Sequence, residues 1–301
     1  MEKRYLITGG AGLVGTSVPF GLKPTRKEVD LTNYEQLIDY IRDHKITDIV
    51  HCAGKVGGVK SNKQFINDFL VENLTINANI IKASREVNRA TFLLSTCIFP
   101  EFAHYPLTED QIHNGEPHPT NYGYAYAKRM LEVGARSLRE QYKVNAKCII
   151  PCNLYGANDN YDMENGHVLP SLIHRCYLSK INNQPFTVWG EGKALREFVF
   201  SQDLGRILQM IHVDEHSIPD MMIVSPGKEW SIREAVEIII SELGFSGELV
   251  FDKTKPEGIM RKPTNNTMFT TYFSDFKFTD LKIGLKKTVE DFLVNYPNVR
   301  K

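Results

Sequence analysis

The sequence predicts an α/β fold in which helices cover both faces of a doubly wound parallel sheet. Short, continuously apolar runs recur along the chain and end at glycines or small polar residues, which is typical of strands buried on both faces. Helical patterns separate these runs. That alternation indicates parallel strands joined by crossover helices.

The individual elements follow in order along the chain. The predicted strands of the sheet share this apolar character and cover residues 4–8, 48–52, 91–95, 148–151 and 221–224. The segments between them that have helical spacing are residues 34–44, 73–87 and 126–142. After about residue 154 the pattern is less regular, with helices predicted at 167–177 and 232–243 and short strands at 186–189 and 248–251.

The composition argues against several classes of function. Lysine and arginine together number 36, and so do aspartate and glutamate, so the net charge gives no reason to expect nucleic acid or an anionic membrane as a partner. No apolar run approaches the roughly 18 residues of a membrane span, and we see no signal sequence, which predicts a cytoplasmic protein. The five cysteines are odd in number and form no CxxC pair, so we predict neither a disulfide framework nor a bound metal.

A glycine-rich loop follows the first predicted strand directly. Residues 8–15 read TGGAGLVG, which places Gly9, Gly12 and Gly15 at regular spacing. Such glycines let the backbone turn tightly, approach a pyrophosphate and pack a helix against the sheet, as in the Rossmann fold. The loop therefore predicts a dinucleotide-binding domain, residues 1–153 with about 203–225, and a smaller interleaved α/β substrate domain, residues 154–202 with 226–301.

The segment after this loop bears on which nicotinamide cofactor is bound. Only fourteen residues separate Gly15 from Asp30, and a proline and a glycine lie among them, so the first helix must be short and the second strand vestigial. Asp30 has the spacing of an acid that binds the adenosine ribose of NAD. Lys23, Arg26 and Lys27 instead suit a 2′-phosphate. We predict NADP(H), with NAD, or a merely solvated turn, as the alternatives.

A tyrosine and a lysine four residues apart indicate redox chemistry. On a helix, residues four apart lie on one face, so the Lys128 ammonium would lie beside the Tyr124 phenol, lower its pKa from about 10 and let it exchange a proton near neutral pH. Ser95, at the end of an earlier strand, offers a hydroxyl to hold the substrate oxygen. Tyr124 and Lys128 join the predicted cofactor contacts, which otherwise lie in the loop and at the ends of the next elements: Gly9, Gly12, Leu13, Val14, Gly15, Lys23, Arg26, Asp30, Leu31, Ala53, Gly54 and Lys55.

Together these features resemble the extended short-chain dehydrogenase/reductase family. The resemblance narrows to GDP-L-fucose synthases, which epimerise and reduce GDP-4-keto-6-deoxymannose. It does so at segments 53–58 (AGKVGG), 95–100 (STCIFP), 153–160 (NLYGANDN), 167–170 (HVLP), 188–198 (VWGEGKALREF) and 255–262 (KPEGIMRK). It covers nearly the whole chain. It implies an NADPH-dependent enzyme that epimerises a nucleotide-linked 4-keto-6-deoxy sugar at carbons 3 and/or 5 and reduces the 4-ketone.

The resemblance assigns two further catalytic residues by position. Cys97 and His167 match the base and the acid that invert the carbons beside the ketone, whose protons the ketone makes acidic. A thiolate, with its pKa lowered from about 8.5 by its surroundings, would remove one proton, and the histidine would return one on the opposite face. Without the resemblance, Cys97 is better interpreted as a buried thiol and His167 as a polar residue at a helix start.

The resemblance also implies contacts to the sugar nucleotide. Asn153 matches an asparagine near the sugar diphosphate, and guanidinium groups suit phosphate because of their fixed donor fork, although each cation also fits an ordinary surface charge. The predicted substrate contacts are Asn153, His167, Val168, Arg175, Trp189, Arg196 and Lys262. Members of the family are typically homodimers that pack helices of the nucleotide domain. The short segment 16–29, and Ala11 in place of a basic loop residue, depart from the family where cofactor preference is set.

Other functions stay open at this point. A reductase without epimerisation fits the same motifs. A 4,6-dehydratase of this fold would carry Asp-Glu after the threonine, where this chain has Cys97 and Ile98 after Thr96, and a 4-epimerase would need neither Cys97 nor His167. A dinucleotide-sensing regulator would commonly lose the tyrosine or the lysine, and this chain keeps both. The nucleotide base and the exact sugar depend on the resemblance alone.

Overall fold

A computed structural model describes residues 2–255 and 258–301. Pro256 and Glu257, which belong to the 255–262 segment, lie outside the described residues. None of the helices in the described ranges is long and apolar enough to cross a membrane. Among the same residues, no group of three or more His, Cys, Asp and Glu side chains is arranged to hold a metal ion.

A parallel sheet of five strands, counted over the described residues, lies at the centre of the molecule. In spatial order its strands are β1 (Tyr5–Thr8), β2 (Asp48–His51), β3 (Arg89–Leu93), β4 (Asn145–Pro151) and β8 (Met221–Val224). Successive strand residues point to opposite faces. Leu6 and Phe92 therefore enter one apolar core, whereas Ile7 and Leu93 enter another.

Helices cover both faces of this sheet. On one face lie α2 (Tyr34–Asp43), α4 (Ile66–Ala83), which follows α3 (Val59–Gln64), and α5 (Tyr122–Ser137). On the other lie α1 (Leu13–Ser17), α7 (Ser201–His212) and α9 (Thr267–Tyr272). The predicted fold class, a doubly wound parallel sheet, is confirmed.

The first crossover is as short as the sequence predicts. Helix α1 has five residues, and the second strand is reduced to a single bridge between Leu6 and Leu22. Two hydrogen bonds make this bridge, from Ile7 N to the Leu22 oxygen and from Leu22 N to the Tyr5 oxygen, both 2.8 Å long. Gly21 turns the chain into the bridge with φ +80°, which a side chain would strain.

A third apolar core lies in the carboxyl-terminal half. The helices around it are α6 (Val168–Ile181), α8 (Ile232–Leu243) and α10 (Leu281–Asn295). Its strands are the parallel pair β6 (Phe186–Trp189) and β10 (Leu249–Asp252), with a small sheet of β5 (Asn153–Tyr155), β7 (Leu195–Phe200) and β9 (Glu229–Ser231) beside it. The division into two domains stays a prediction. Helix α9, which follows the predicted boundary at residue 226, packs with the sheet core rather than with this one.

Several element boundaries differ from the sequence prediction. Helix α4 begins at Ile66 rather than at the predicted Asn73. The buried polar residues Asn73 and Asn77 interrupt its apolar spacing, so the sequence pattern does not reveal its first two turns. Helix α5 begins at Tyr122, before the predicted start at residue 126. Strand β3 ends at Leu93, so Ser95 lies beyond it and caps a 3-10 turn, Thr96–Ile98.

Candidate active site

The glycine loop turns sharply at the carboxyl end of β1. Gly9 has φ +67°, and a Cβ added there would lie 2.8 Å from the Ala53 Cα. A Cβ added at Gly15 would lie 2.2 Å from the Gly9 oxygen, and the Gly12 amide donates to that oxygen at 2.9 Å. Side chains are therefore excluded at Gly9 and Gly15, on either side of the start of α1. The free N–H groups there border a surface that fits a pyrophosphate.

Two of the predicted cofactor residues make local contacts beside this loop. The Lys23 ammonium donates to the Val18 carbonyl at the end of α1. The Asp30 carboxylate accepts from the amide and the hydroxyl of Thr32 at 3.0 and 2.8 Å, and these hydrogen bonds lower the pKa of Asp30. The Asp30 carboxylate thus stabilises the turn in which it lies.

One cation near the loop was missed by the sequence analysis. The Arg300 guanidinium lies 3.9 Å from the position that a Cβ on Gly12 would take. The Arg300 carbonyl accepts from Tyr161 N at 2.9 Å, which holds the end of the chain in place. Sequence spacing gives no signal for such a contact, because the two residues lie at opposite ends of the chain.

A buried hydrogen-bond chain supports the loop. The His51 ring accepts from the Thr8 hydroxyl at 2.8 Å and donates to the Asn77 amide oxygen at 3.2 Å. The Asn77 amide nitrogen donates in turn to the Ala127 carbonyl at 2.8 Å. Burial lowers the pKa of His51 to about 3, so the ring stays neutral and keeps one donor and one acceptor. These hydrogen bonds connect β1 and β2 to α4 and α5.

Thr8→Val is expected to lower the free energy of unfolding by about 1–3 kcal/mol, because buried groups of His51 and Ala53 lose a partner. Thr75→Val is the matched control, since the exposed Thr75 hydroxyl donates to the Val71 carbonyl within its own helix. Urea unfolding of both variants measures the difference. Equal free energies of unfolding would show that these buried hydrogen bonds contribute nothing to the stability of the fold.

Tyr124 and Lys128 lie together beside the end of β3. The buried Lys128 ammonium donates to the Leu93 carbonyl at 2.9 Å and lies 6.0 Å from the centre of the Tyr124 ring. Burial lowers the pKa of Lys128 to about 8. Burial, and to a lesser degree Cys97, raises the pKa of Tyr124. The predicted lowering of the Tyr124 pKa is therefore wrong for the free protein, since the cost of burying a phenolate exceeds the attraction of the ammonium.

Cys97 borders the same pair. Its amide donates to the Ser95 hydroxyl at 3.4 Å, which places both residues in one turn. Burial raises the pKa of the Cys97 thiol, although the Ser95 hydroxyl and the charges of Lys262 and Lys128 oppose this. The predicted lowering of the Cys97 pKa is wrong for the same reason, since desolvation of the thiolate is the largest effect.

Lys262 lies on the Cys97 side of the site. Its ammonium donates to the Thr96 carbonyl at 2.7 Å, and its charge acts on the neighbouring Cys97. The segment that carries it is held by backbone hydrogen bonds of 2.9 and 2.8 Å between Leu107 and residues 263 and 265. The resemblance assigns Lys262 to the sugar nucleotide; in the structure its ammonium contacts the turn that carries Cys97.

The remaining predicted substrate residues occupy the second half of the chain. The Arg175 guanidinium lies 4.9 Å from the centre of the Trp189 ring, so two residues predicted to bind the nucleotide contact each other. The Asn153 amide donates to the Glu197 carbonyl at 2.8 Å, and the Arg196 guanidinium donates to the Leu195 carbonyl at 2.7 Å.

His167 precedes α6 as its N-cap residue, as the sequence predicts, with Val168 beginning the helix. The loop before it is fixed by a 2.6 Å hydrogen bond from Gly58 N to the Asn165 carbonyl. The neighbouring Gly57 packs on Phe69, whose ring meets that of Tyr124 edge-on at 6.4 Å. The described contacts thus bring Ser95, Cys97, Tyr124, Lys128 and Lys262 together directly and connect His167 to them through this loop.

A comparison with protein families decides the family of the chain. The profile described as "NAD dependent epimerase/dehydratase family" matches residues 5–224. The chain belongs to this family. As an NAD dependent epimerase/dehydratase family member, it keeps the glycine loop, Tyr124 and Lys128 within the matched part.

Individual relatives within the family are similar to nearly the whole length of the chain. The chain is 37% identical over 314 aligned residues to GDP-L-fucose synthase of Dictyostelium discoideum, with 100% of this chain and 98% of the relative covered. It is 33% identical to GDP-L-colitose synthase of Yersinia pseudotuberculosis, with coverages of 96% and 98%. A solved structure of the GDP-L-fucose synthetase from Naegleria fowleri bound to NADP matches with a TM-score of 0.91 at 33% identity, over 100% of this chain and 95% of that one. The resemblance inferred from the motifs is confirmed.

Proposed function

We propose that the chain is an NADPH-dependent epimerase/reductase of a GDP-linked 4-keto-6-deoxy sugar, which inverts carbons 3 and/or 5 and reduces the 4-ketone. The observation that carries this proposal is the position of Cys97 beside both Tyr124 and Lys128, because a base for the carbon protons and an acid for the ketone oxygen then border one site. The names of the relatives, and the NADP in the solved structure, support the substrate and the cofactor.

NADPH, when bound, supplies the hydride that reduces the ketone carbon. The residues that would hold it are the glycine loop and residues 53–55, which follow β2 beside the loop. Gly54 also faces this site, since a Cβ there would lie 3.6 Å from the Lys128 ammonium. The cations Lys23, Arg26 and Arg300 favour a phosphorylated cofactor by their charge.

For reduction, the Ser95 hydroxyl holds the ketone oxygen and Tyr124 protonates it. Because burial raises the pKa of Tyr124, its phenol is protonated at neutral pH and ready to donate. The Lys128 ammonium then favours the phenolate that results. Its position, fixed on the Leu93 carbonyl, keeps it beside the ring throughout.

For epimerisation, Cys97 accepts a proton from the carbon beside the ketone. Lys262 and Lys128 provide the positive charge that favours the thiolate against the cost of burial. His167 returns a proton on the opposite face. Epimerisation precedes reduction, because only the ketone makes these carbon protons acidic.

The nucleotide would bind along the second half of the chain. Trp189 is half exposed and Arg175 stacks on it, so the pair offers an aromatic face and a guanidinium to the base and the phosphates. Asn153 and Arg196 lie on the paired strands β5 and β7 and would add an amide and a guanidinium for the same ligand. A homodimer built on α4 and α5 stays a prediction. It is supported by the exposed apolar side chains of Val71 and Met130 on those helices. The cytoplasmic location also stays a prediction.

The test is incubation with NADPH and a panel of GDP-, UDP- and dTDP-linked 4-keto-6-deoxy sugars, with products identified by NMR. We expect the GDP-linked ketone to be reduced at carbon 4 with inversion at carbon 3 and/or 5. Reduction without inversion would make the protein a simple reductase. The absence of reduction with every sugar, under conditions where NADPH binds, would contradict the proposal as a whole.

A further inference from the structure

A buried carboxylate faces the buried edge of His167. Asp159 is only 2% exposed, and its Oδ1 lies 3.7 Å from His167 Nδ1. Asp159 Oδ1 accepts from the Asn160 amide at 2.7 Å, so one carboxylate oxygen is already engaged by the backbone. The other oxygen, Oδ2, is buried and makes no hydrogen bond among the described residues.

The facing nitrogen of His167 is in the same condition. Nδ1 is buried and has no hydrogen-bond partner within the described part of the chain. A buried polar atom without a partner costs free energy, and two such atoms on adjacent side chains satisfy each other if they approach. Catalytic hydrogen bonds are often long in free enzymes and tighten when substrate binds, so a separation of 3.7 Å is compatible with this pairing.

We propose that Asp159 is a positioning residue for His167, which it orients and holds in one tautomer so that the opposite ring nitrogen, Nε2, faces the substrate. The His167 side chain is 43% exposed although Nδ1 is buried, so the exposed edge is the one that carries Nε2. The role rests on the proposed epimerisation. The 3.7 Å approach of the two side chains is a property of the free protein.

The tautomer follows from the chemistry of the two groups. A carboxylate only accepts hydrogen bonds, so a neutral His167 that pairs with it carries its hydrogen on Nδ1. When the imidazolium protonates the substrate carbon, the Nε2–H bond breaks as the C–H bond forms. The product is the neutral ring with Nδ1–H still on Asp159, while the proton removed from the other face remains on Cys97.

Other acids near this loop have other partners. Asp162 Oδ1 accepts from the Glu164 and Asn165 amides at 2.8 and 2.6 Å, and Asp291 accepts from Asn158 N at 3.1 Å. Asp159 does act on one further titratable group, the buried phenol of Tyr161, whose pKa it helps to raise. Asp162 therefore offers a control in the same loop.

The direct test is the ¹⁵N NMR signature of His167 in the ligand-free protein, assigned by its loss in His167→Asn. We expect the Nδ1–H tautomer in the wild type. In Asp159→Asn the oxygen that accepts from the Asn160 amide and faces Nδ1 is uncharged and a weaker acceptor, so the share of the Nε2–H tautomer should rise. Asp162→Asn should leave the tautomer as in the wild type. A wild-type ring in the Nε2–H form would overturn the proposal without need of any variant.

The functional test is the ratio of deuterium exchange at carbons 3 and 5 to ketone reduction. Asp159→Asn is expected to lower this ratio roughly tenfold or more, because the neutral amide holds the ring less firmly with Nε2 towards the substrate and favours less the Nδ1–H ring that proton transfer leaves. An unchanged ratio would contradict the positioning role. If no sugar is reduced or exchanged by the wild type, the proposed function fails, whereas the tautomer measurement still decides whether Asp159 orients His167.

Discussion

Tyr124→Phe is expected to slow ketone reduction by about 10²–10⁴-fold while NADPH still binds, because the variant loses only the hydroxyl that protonates the oxygen. The ring itself should stay in place. It is buried and packs edge-on against Phe69 with centres 6.4 Å apart, and phenylalanine keeps these contacts. Single-turnover oxidation of bound NADPH with the reducible sugar measures the step.

Tyr126→Phe is the matched control for this prediction. Tyr126 lies on the same helix and packs beside Arg129, with 5.3 Å from the guanidinium to the ring centre, so the same atom is removed in a similar setting. We expect a rate near that of the wild type. Near-normal reduction by Tyr124→Phe, or an equal loss in both variants, would show that Tyr124 is not the acid.

Cys97→Ser is expected to abolish exchange of the protons at carbons 3 and 5 with deuterated solvent, because a serine hydroxyl is far harder to ionise than a thiol. The change in shape is small. The variant should still transfer hydride and so give an unepimerised alcohol. The measurement is deuterium uptake by NMR without NADPH, so that reduction does not trap the product.

Cys52→Ser is the control, since Cys52 also lies near the charge of Lys128 but follows β2 rather than β3. It should exchange as the wild type does. Burial raises the pKa of Cys97, so the thiolate fraction, and with it wild-type exchange, should increase as pH rises towards that pKa. If the wild type exchanges no proton on any ketone that it reduces, the protein does not epimerise. Cys97 is then a buried thiol, and His167 is a polar residue at a helix start.

Much of the fold follows from local patterns in the sequence. Apolar runs at Ile49 and Ile149 predict buried strands, and helical spacing places Tyr124 and Lys128 on one face, because strand and helix periodicities depend on neighbouring residues alone. The short first crossover was predicted for a similar reason. A proline and a glycine within a few residues leave no room for a long helix and a full strand.

The chemistry of the site depended on tertiary structure. The pKa directions of Tyr124 and Cys97 were predicted with the wrong sign, because neighbouring charges are visible in a sequence whereas the desolvation caused by packing is not. Contacts between residues far apart in the sequence could not be predicted either. Lys262 reaches the carbonyl of a residue 166 positions away.

The sequence by itself thus determined the fold class, the dinucleotide loop and the spacing of Tyr124 and Lys128, since these depend on backbone conformation and side-chain periodicity. Only the tertiary structure decided that Lys262 borders Cys97, that His51 supports the loop and that Asp159 faces His167. The physical reason is that burial and hydrogen-bond pairing are properties of residues brought together from separate elements, and no local pattern encodes them.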